Sequence, residues 1–257
     1  LTPTILQAIQ AVPADVSVYY QNLNSRHCWS YQADQDMPAA SVIKVAILIC
    51  LLQQVQRGQL RLTQEIQVEF KHHVGGAGVL FELHDGITVT LEDLARLMIV
   101  VSDNVASNLL LDTLPAGALQ EFFRQQRLAQ TQLGRRFMEN PRPGHDNRTS
   151  AYDMGIMMAA LCREELLDRA HTQLAFSILR RQQYREKIPQ RLPPELSVAH
   201  KTGELDGVRH DIAIVEAVPH SYVLCLLTQK GGPAWDVDQA LAQLSLLIYE
   251  RHQETTL

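Results

Sequence analysis

The spacing of apolar and polar positions changes character twice along the chain. Residues 16–22 (Val-Ser-Val-Tyr-Tyr-Gln-Asn) alternate and are rich in β-branched and aromatic side chains, which predicts a strand. A second strand is expected at 27–32 and a short helix at 4–11. From Ser41 to about Gln56 the pattern is helical and apolar on nearly every side, which predicts a helix inside a core rather than on its surface. Thr90-Leu91-Glu92-Asp93 reads as a capping box ahead of Leu94, Leu97, Met98 and Val101. Further helices are predicted at 105–114, 116–127, 150–162 and 168–182. Strand character then returns at 196–202, 208–217 and 221–229, the last two joined by a turn at Pro219-His220. An amphipathic helix at 234–251 closes the chain, with Trp235 and Tyr249 expected in its core.

Strands at both chain ends with helices between them predict an α+β fold: an antiparallel sheet built from the two termini, with a helical insertion. The corresponding division is residues 1–40 with 183–257 as an α/β lobe and 41–182 as a helical lobe, with a site in the cleft between them. Residues 130–148, holding Pro141, Pro143, Gly144 and Asn147, predict a long irregular loop, and loops of that length are often functional.

Composition narrows the function. The net charge is −5, and the longest basic run noted is a pair such as Arg180-Arg181, so a surface built to neutralise nucleic-acid phosphates is not expected. The most apolar stretch, 45–52, is far shorter than the roughly 18 residues of a membrane span. Cys28, Cys50, Cys162 and Cys225 are scattered without C-x-x-C spacing and are expected to be buried small apolar residues. His72-His73 and the other histidines lack metal-ligand spacing, so no metal and no cofactor is expected. Gly75-Gly76-Ala77-Gly78 lacks the lysine and helix of a phosphate loop and reads as a flexible rim of a cleft.

Ser41 and Lys44 are three residues apart at a helix start and so share one face. A serine hydroxyl needs a base to become a nucleophile, and a lysine serves as one where burial and nearby positive charge lower its pKa. Val45, Ala46, Ile47 and Leu48 supply the apolar surroundings. The pair alone is weak, because about one S-x-x-K is expected by chance in a chain this long. Ser102-Asp103-Asn104 at a helix end is much rarer by chance, on the order of 0.04 occurrences per chain, and Lys201-Thr202-Gly203 on a predicted strand is similarly rare.

S-x-x-K, S-D-N and K-T-G in this order resemble the class A β-lactamase and penicillin-binding protein superfamily. The resemblance runs from about residue 15 to 250 and includes the stretch 86–95 before the second motif and 211–215 after the third. It implies a β-lactamase/transpeptidase-like fold, with a five-stranded antiparallel sheet flanked by helices and an inserted all-helical lobe. It also implies an acyl-enzyme at Ser41, proton handling by Lys44, and proton relay to the leaving nitrogen by Ser102 with Lys201. Asn104 would hold the substrate amide, and the backbone N–H groups of Ser41 and Glu204, just past Gly203, would form the oxyanion hole. Lys201 and Thr202, joined by Arg209, would bind the substrate carboxylate. The implied partner is a β-lactam or a peptidoglycan stem peptide met outside the cytoplasm, and the implied state is a monomer.

One part of the family pattern fails. The loop glutamate that activates water for deacylation in class A enzymes has no clear counterpart, because the loop is about three residues short and Met138 falls at its position. Glu139 is adjacent. The expectation is therefore a penicillin-binding D,D-peptidase or a β-lactamase-like protein with slow release of the acyl group, similar to the penicillin-binding proteins closely related to class A enzymes. The alternatives are an efficient β-lactamase using Glu139 and a penicillin-sensing domain without turnover.

Overall fold

A computed structural model describes the chain over residues 1–256. Its elements begin with helix α1 (Pro3–Gln10), opened by the Thr2 side chain and by proline in its first turn. Strands β1 (Asp15–Asn22), β2 (Cys28–Tyr31) and β3 (Met37–Pro38) follow, and then helix α2 (Lys44–Gln56). Strands β4 (Glu65–Val68) and β5 (Ile87–Thr90) pair with each other. Helices α3 (Leu91–Val100), α4 (Asn104–Thr113) and α5 (Ala118–Gln125) come next, then β6 (Arg148–Thr149), α6 (Ala151–Cys162) and α7 (Arg169–Leu179). Strands β7 (Ser197–Leu205), β8 (Val208–Glu216) and β9 (Tyr222–Gln229) and helix α8 (Ala234–Thr256) complete the chain.

The main sheet has the order β2-β1-β9-β8-β7 with every pair antiparallel, so the two chain ends meet at β1 and β9 and β7 is left as an edge. The class is α+β, as expected. Helices α1 and α8 cover one sheet face through Ile5, Ile9, Val237, Leu241, Leu244 and Ile248. The other face, through Tyr19, Ala199, Ile212, Ile214, Val223 and Cys225, joins the same core as helices α2 to α7. The insertion thus shares its core with the sheet instead of enclosing a separate one.

Helix α2 is buried without a break from Lys44 to Leu52. A surface helix would show a polar stripe; this one has none because it is surrounded by the other helices of the insertion. Thr90 and Asp93 form the expected capping box of α3, each side chain accepting from the other's backbone N–H. The sequence left 57–89 unassigned, and β4 and β5 there are too short to carry a readable alternation.

Two burial expectations are corrected. Trp235 is 68% exposed because the inward stripe of α8 runs through Val237, Leu241, Leu244 and Ile248, and Trp235 lies off it; Tyr249 packs partly buried against that core. All four cysteines are unpaired, with Cys50 and Cys225 buried and Cys162 partly so, but Cys28 is exposed because β2 is an outer strand that turns this position to solvent. Among the described residues no helix is long and apolar enough to cross a membrane.

Candidate active site

Ser41 lies in a tight turn that leads into α2. The N–H groups of Val42, Lys44 and Val45 each donate three residues back, to Ala39, Ser41 and Val42, at 3.2 Å. Ala40, just before the serine, holds a left-handed backbone with φ 44. Edge strand β7 presses against this turn at Gly203, where a Cβ would lie 3.0 Å from the Ser41 nitrogen and 3.1 Å from the Ala40 Cβ. A side chain at 203 would need the turn to yield by a few tenths of an ångström, so glycine favours the approach that brings the backbone of Ser41 and of Gly203-Glu204 to one place. They border a cavity of about 460 Å³ whose walls include Ala40, Asn104, Phe137, Met138 and Leu205.

Lys44 is wholly buried. Its Nζ donates to the Ser102 carbonyl at 2.7 Å and to Asn104 Oδ1 at 2.9 Å, and it lies 3.2 Å from Ser102 Oγ. Burial pushes its pKa well below the ordinary lysine value, the charge of Lys201 pushes it the same way, and Asp103 opposes both. Ser102 sits between α3 and α4 with φ 57, a conformation that disfavours an ordinary side chain. Asp103 holds it there: one carboxylate oxygen caps α4 at the Ala106 N–H, and the other accepts from Val79 at 2.7 Å and Leu80 at 2.9 Å. Asn104 donates to the Gly75 carbonyl at 3.1 Å and accepts from Lys44 with its side-chain oxygen. Gly76 and Ala77 of the glycine-rich segment line the cavity.

Lys201 enters from β7, also fully buried, with its Nζ on the Thr202 carbonyl at 2.8 Å. Burial lowers its pKa to about 7, although Asp211 pulls it upward; Lys187 adds to the lowering. Thr202 is buried beside it. Ser41, Lys44, Ser102, Asn104, Lys201, Thr202, Gly203 and Glu204 therefore converge where the helical insertion meets the sheet edge.

The long loop closes on itself. Gln132 and Arg148 exchange backbone bonds at 3.0 Å, Arg135 pairs with Asp146 at 2.7 Å, and β3 pairs with β6 to tie the loop base to the segment before Ser41. Asn108 of α4 clamps Phe137, donating to its carbonyl at 3.1 Å and accepting from its N–H at 3.0 Å. The Phe137 ring lies over Lys44, 4.5 Å from Nζ to the ring centre. Phe137, Met138 and Glu139 all line the cavity. Met138 is 54% exposed, left-handed with φ 69, and leans toward Gly76, so Phe137 is the loop residue that meets the lysine. Glu139 is exposed and its carboxylate turns back to accept from the Arg136 N–H.

Arg209, expected to join Lys201 and Thr202 at a substrate carboxylate, has ion-pair partners within the protein. It is already engaged, with Nε 2.8 Å from Asp238 Oδ1, a second bond to the other Asp238 oxygen, and Nη1 3.0 Å from Glu204 Oε2. Lys187, which the sequence gave no reason to single out, is fully buried and pairs with Glu204 Oε1 at 2.7 Å. His210 lies nearby as a structural group, with Nε2 on the Pro38 carbonyl and Nδ1 receiving the Thr228 N–H; burial lowers its pKa to about 4. Among the described residues no group of three or more His, Cys, Asp or Glu is set to hold a metal ion.

The pattern of the family described as "Beta-lactamase enzyme family" matches residues 1–252. Beta-lactamase AER-1 of Aeromonas hydrophila is 24% identical over 259 residues, covering 96% of this chain and 85% of that protein. A β-lactamase structure from Sphaerobacter thermophilus has a TM-score of 0.91 at 24% identity over 96% of both chains, a likeness of fold. PBP-A is similar with a TM-score of 0.88 at 27% identity, covering 99% of this chain and 97% of that one, and a mutant of PBP-A has been determined as an acyl-enzyme complex with penicillin G.

Proposed function

This chain belongs to the beta-lactamase enzyme family and is a serine hydrolase, and from that premise we propose that Ser41 is acylated by β-lactams or D-Ala-D-Ala-like peptides and that the acyl group leaves slowly. The observation that carries the reading is the buried Lys44, three residues after Ser41 and lowered in pKa by burial and by Lys201. Burial and a neighbouring cation disfavour the charged form, and a lysine amine so placed can take the proton of the serine hydroxyl.

The Ser41 oxygen forms a bond to the substrate carbonyl carbon while its proton passes to Lys44. The N–H groups of Ser41 and Glu204 face the developing oxyanion, a term worth about 3–4 kcal/mol per donor in a comparable hydrolase. When the carbonyl re-forms, the C–N bond breaks. Ser102 Oγ, in contact with Lys44, gives the departing nitrogen its proton and is resupplied from the two lysines. Asn104 holds the amide of the substrate's acyl side.

Release of the acyl group needs a base to activate water. The position over Lys44 holds an apolar ring, and Glu139 is committed to its own loop. Both facts favour slow deacylation over an efficient β-lactamase that uses Glu139. The peptide substrates named here are pieces of peptidoglycan, so the reading includes an extracytoplasmic location.

Whole-protein mass followed over time after addition of benzylpenicillin tests the proposal. One penicilloyl group should appear on the wild type, persist for minutes to hours, and be absent from Ser41→Ala. A wild type that never gains mass, or a Ser41→Ala protein labelled equally, would overturn it.

A further inference from the structure

The turn that carries Ser41 is strained at Ala40, with φ 44, and a strained residue persists only where its surroundings hold it. Downstream the holding is done by helix α2. Upstream the chain is gripped at the peptide unit between Pro38 and Ala39. Its carbonyl accepts from His210 Nε2 at 2.7 Å, and its N–H donates to the Asn147 carbonyl at 2.8 Å. The C=O and N–H of a trans peptide point opposite ways. The unit is therefore fastened to the sheet on one side and to the 132–148 loop on the other, just ahead of the serine.

His210 is fully buried on β8 and projects from the face that also carries Ile212 and Ile214, toward the helical insertion. Its cross-strand neighbour is Gly203, which has no side chain to compete for that space. The two ring nitrogens have fixed roles. The Thr228 N–H can only donate, so Nδ1 accepts from it at 3.0 Å; the Pro38 carbonyl can only accept, so Nε2 carries the proton. Thr228 stands where the β8–β9 ladder, paired as far as Asp211 and Leu226, gives way to side chains. Its hydroxyl accepts from the Arg209 N–H at 2.9 Å and donates to the Arg209 carbonyl at 2.7 Å. The sheet thereby sets the ring's proton on the side of the nucleophile.

We propose that His210 is a positioning residue for acylation: through Nε2 it holds the Pro38 carbonyl, and with it the strained turn that sets Ser41 at the cavity. This rests on the acylation of Ser41 proposed above. Without that bond Ala40 relaxes toward an ordinary backbone, and the serine oxygen moves with it. Lys44 and Lys201 keep their own partners, on Ser102, Asn104 and the Thr202 carbonyl. The loss therefore falls on the aim of the nucleophile and not on the binding of the acyl donor.

Two variants separate this role from packing. Glutamine places its amide near the Nε2 position and can donate to Pro38; asparagine places its amide near Nδ1, keeps an acceptor for Thr228 and stops short of Pro38. Acylation by benzylpenicillin is followed by whole-protein mass over a range of concentrations. His210→Asn should lower the maximal acylation rate about tenfold, within the roughly hundredfold that misplacing a reacting atom by about an ångström can cost. The concentration for half-maximal rate should stay within about twofold of wild type. His210→Gln should keep the maximal rate within about threefold of wild type. Equal rates in the two variants, whether both normal or both reduced, overturn this inference alone, and so does a loss confined to the half-maximal concentration. Two-bond nitrogen–proton spectra of the wild type supply a check that needs no variant. Burial lowers the His210 pKa to about 4, so at pH 7 the ring should be neutral with its proton on Nε2, and a proton on Nδ1 overturns the inference as well. A wild type that gains no mass overturns the acylation reading, and this inference with it.

Discussion

A lysine that stays protonated in the unfolded chain resists protonation once it is enclosed, and for Lys201 the two values are about 7 folded and 10.5 in the open. Below about pH 7 both states carry the proton and the folded protein bears the full penalty of a buried charge. Between about 7 and 10.5 the unfolded chain binds more protons than the folded one, so stability rises with pH, by up to about 1.4 kcal/mol per pH unit. Urea midpoints at pH 7 and pH 9 should therefore increase in the wild type and change less in Lys201→Met; parallel behaviour of the two proteins would contradict the burial argument. Residues of this kind were legible in the sequence because they sit in short local motifs: Ser41 with Lys44, Ser102 with Asn104, Lys201 with Gly203. Phe137 and Lys187 were not. The first depends on how a loop of unusual length is clamped by Asn108, and the second on a pairing with Glu204 across 17 positions of chain. Neither leaves a local pattern.

The element that most directly controls turnover is the loop from Gln132 to Arg148. Its ends are bridged, its Arg135–Asp146 pair is partly buried, and its Phe137 is gripped through both backbone polar groups. A carboxylate placed at 137 would therefore be delivered onto Lys44 by an existing scaffold. Phe137→Glu is expected to shorten the lifetime of the penicilloyl-enzyme by about a hundredfold, the low end of what a positioned base supplies. The same substitution gives Lys44 an anionic neighbour, which favours its protonated form and should slow acylation at neutral pH. Met138→Glu, on an exposed side chain, should leave the lifetime nearly unchanged; stopped-flow and mass measurements on the two variants separate these outcomes, and a faster release from Met138→Glu would mean the loop is read one residue out. Helices α2, α3 and α6 and the strands of the main sheet were readable from period and caps. The pairs β3–β6 and β4–β5 were not, since two to four residues are too few to express a period of two.

At the scale of the whole molecule, sheet and helices are joined through α6, which crosses β1 and β9 with Gly155 against Tyr19. A Cβ at 155 would fall 2.1 Å from the Tyr19 ring. Tyr19 is itself buried, and its ring meets Tyr152 edge to face at 5.8 Å. Gly155→Ala should lower stability by about 1–3 kcal/mol, as overpacking does, and should also reduce the acylation rate because the two walls of the cleft belong to the parts being pushed apart. Urea denaturation and the penicillin mass assay check both, and an unaltered midpoint would show that the contact can relax. The alternation of strands at the termini and helices between them announced this layout. That the helical part shares its core with the sheet was hidden, because apolar residues in a sequence do not reveal which other apolar residues they will touch.

Ala40, Ser102 and Met138 all hold a left-handed backbone that side chains other than glycine seldom adopt; Ala40 and Met138 wall the cavity, and Ser102 touches Lys44. Torsional tension of about 1–2 kcal/mol apiece is thus concentrated where the reactive groups are. Selection for heat resistance alone would drift toward glycine at these three points, and each such step would slacken the frame that aims the serine and the lysines. The toughest descendants of this protein would then be its least capable ones.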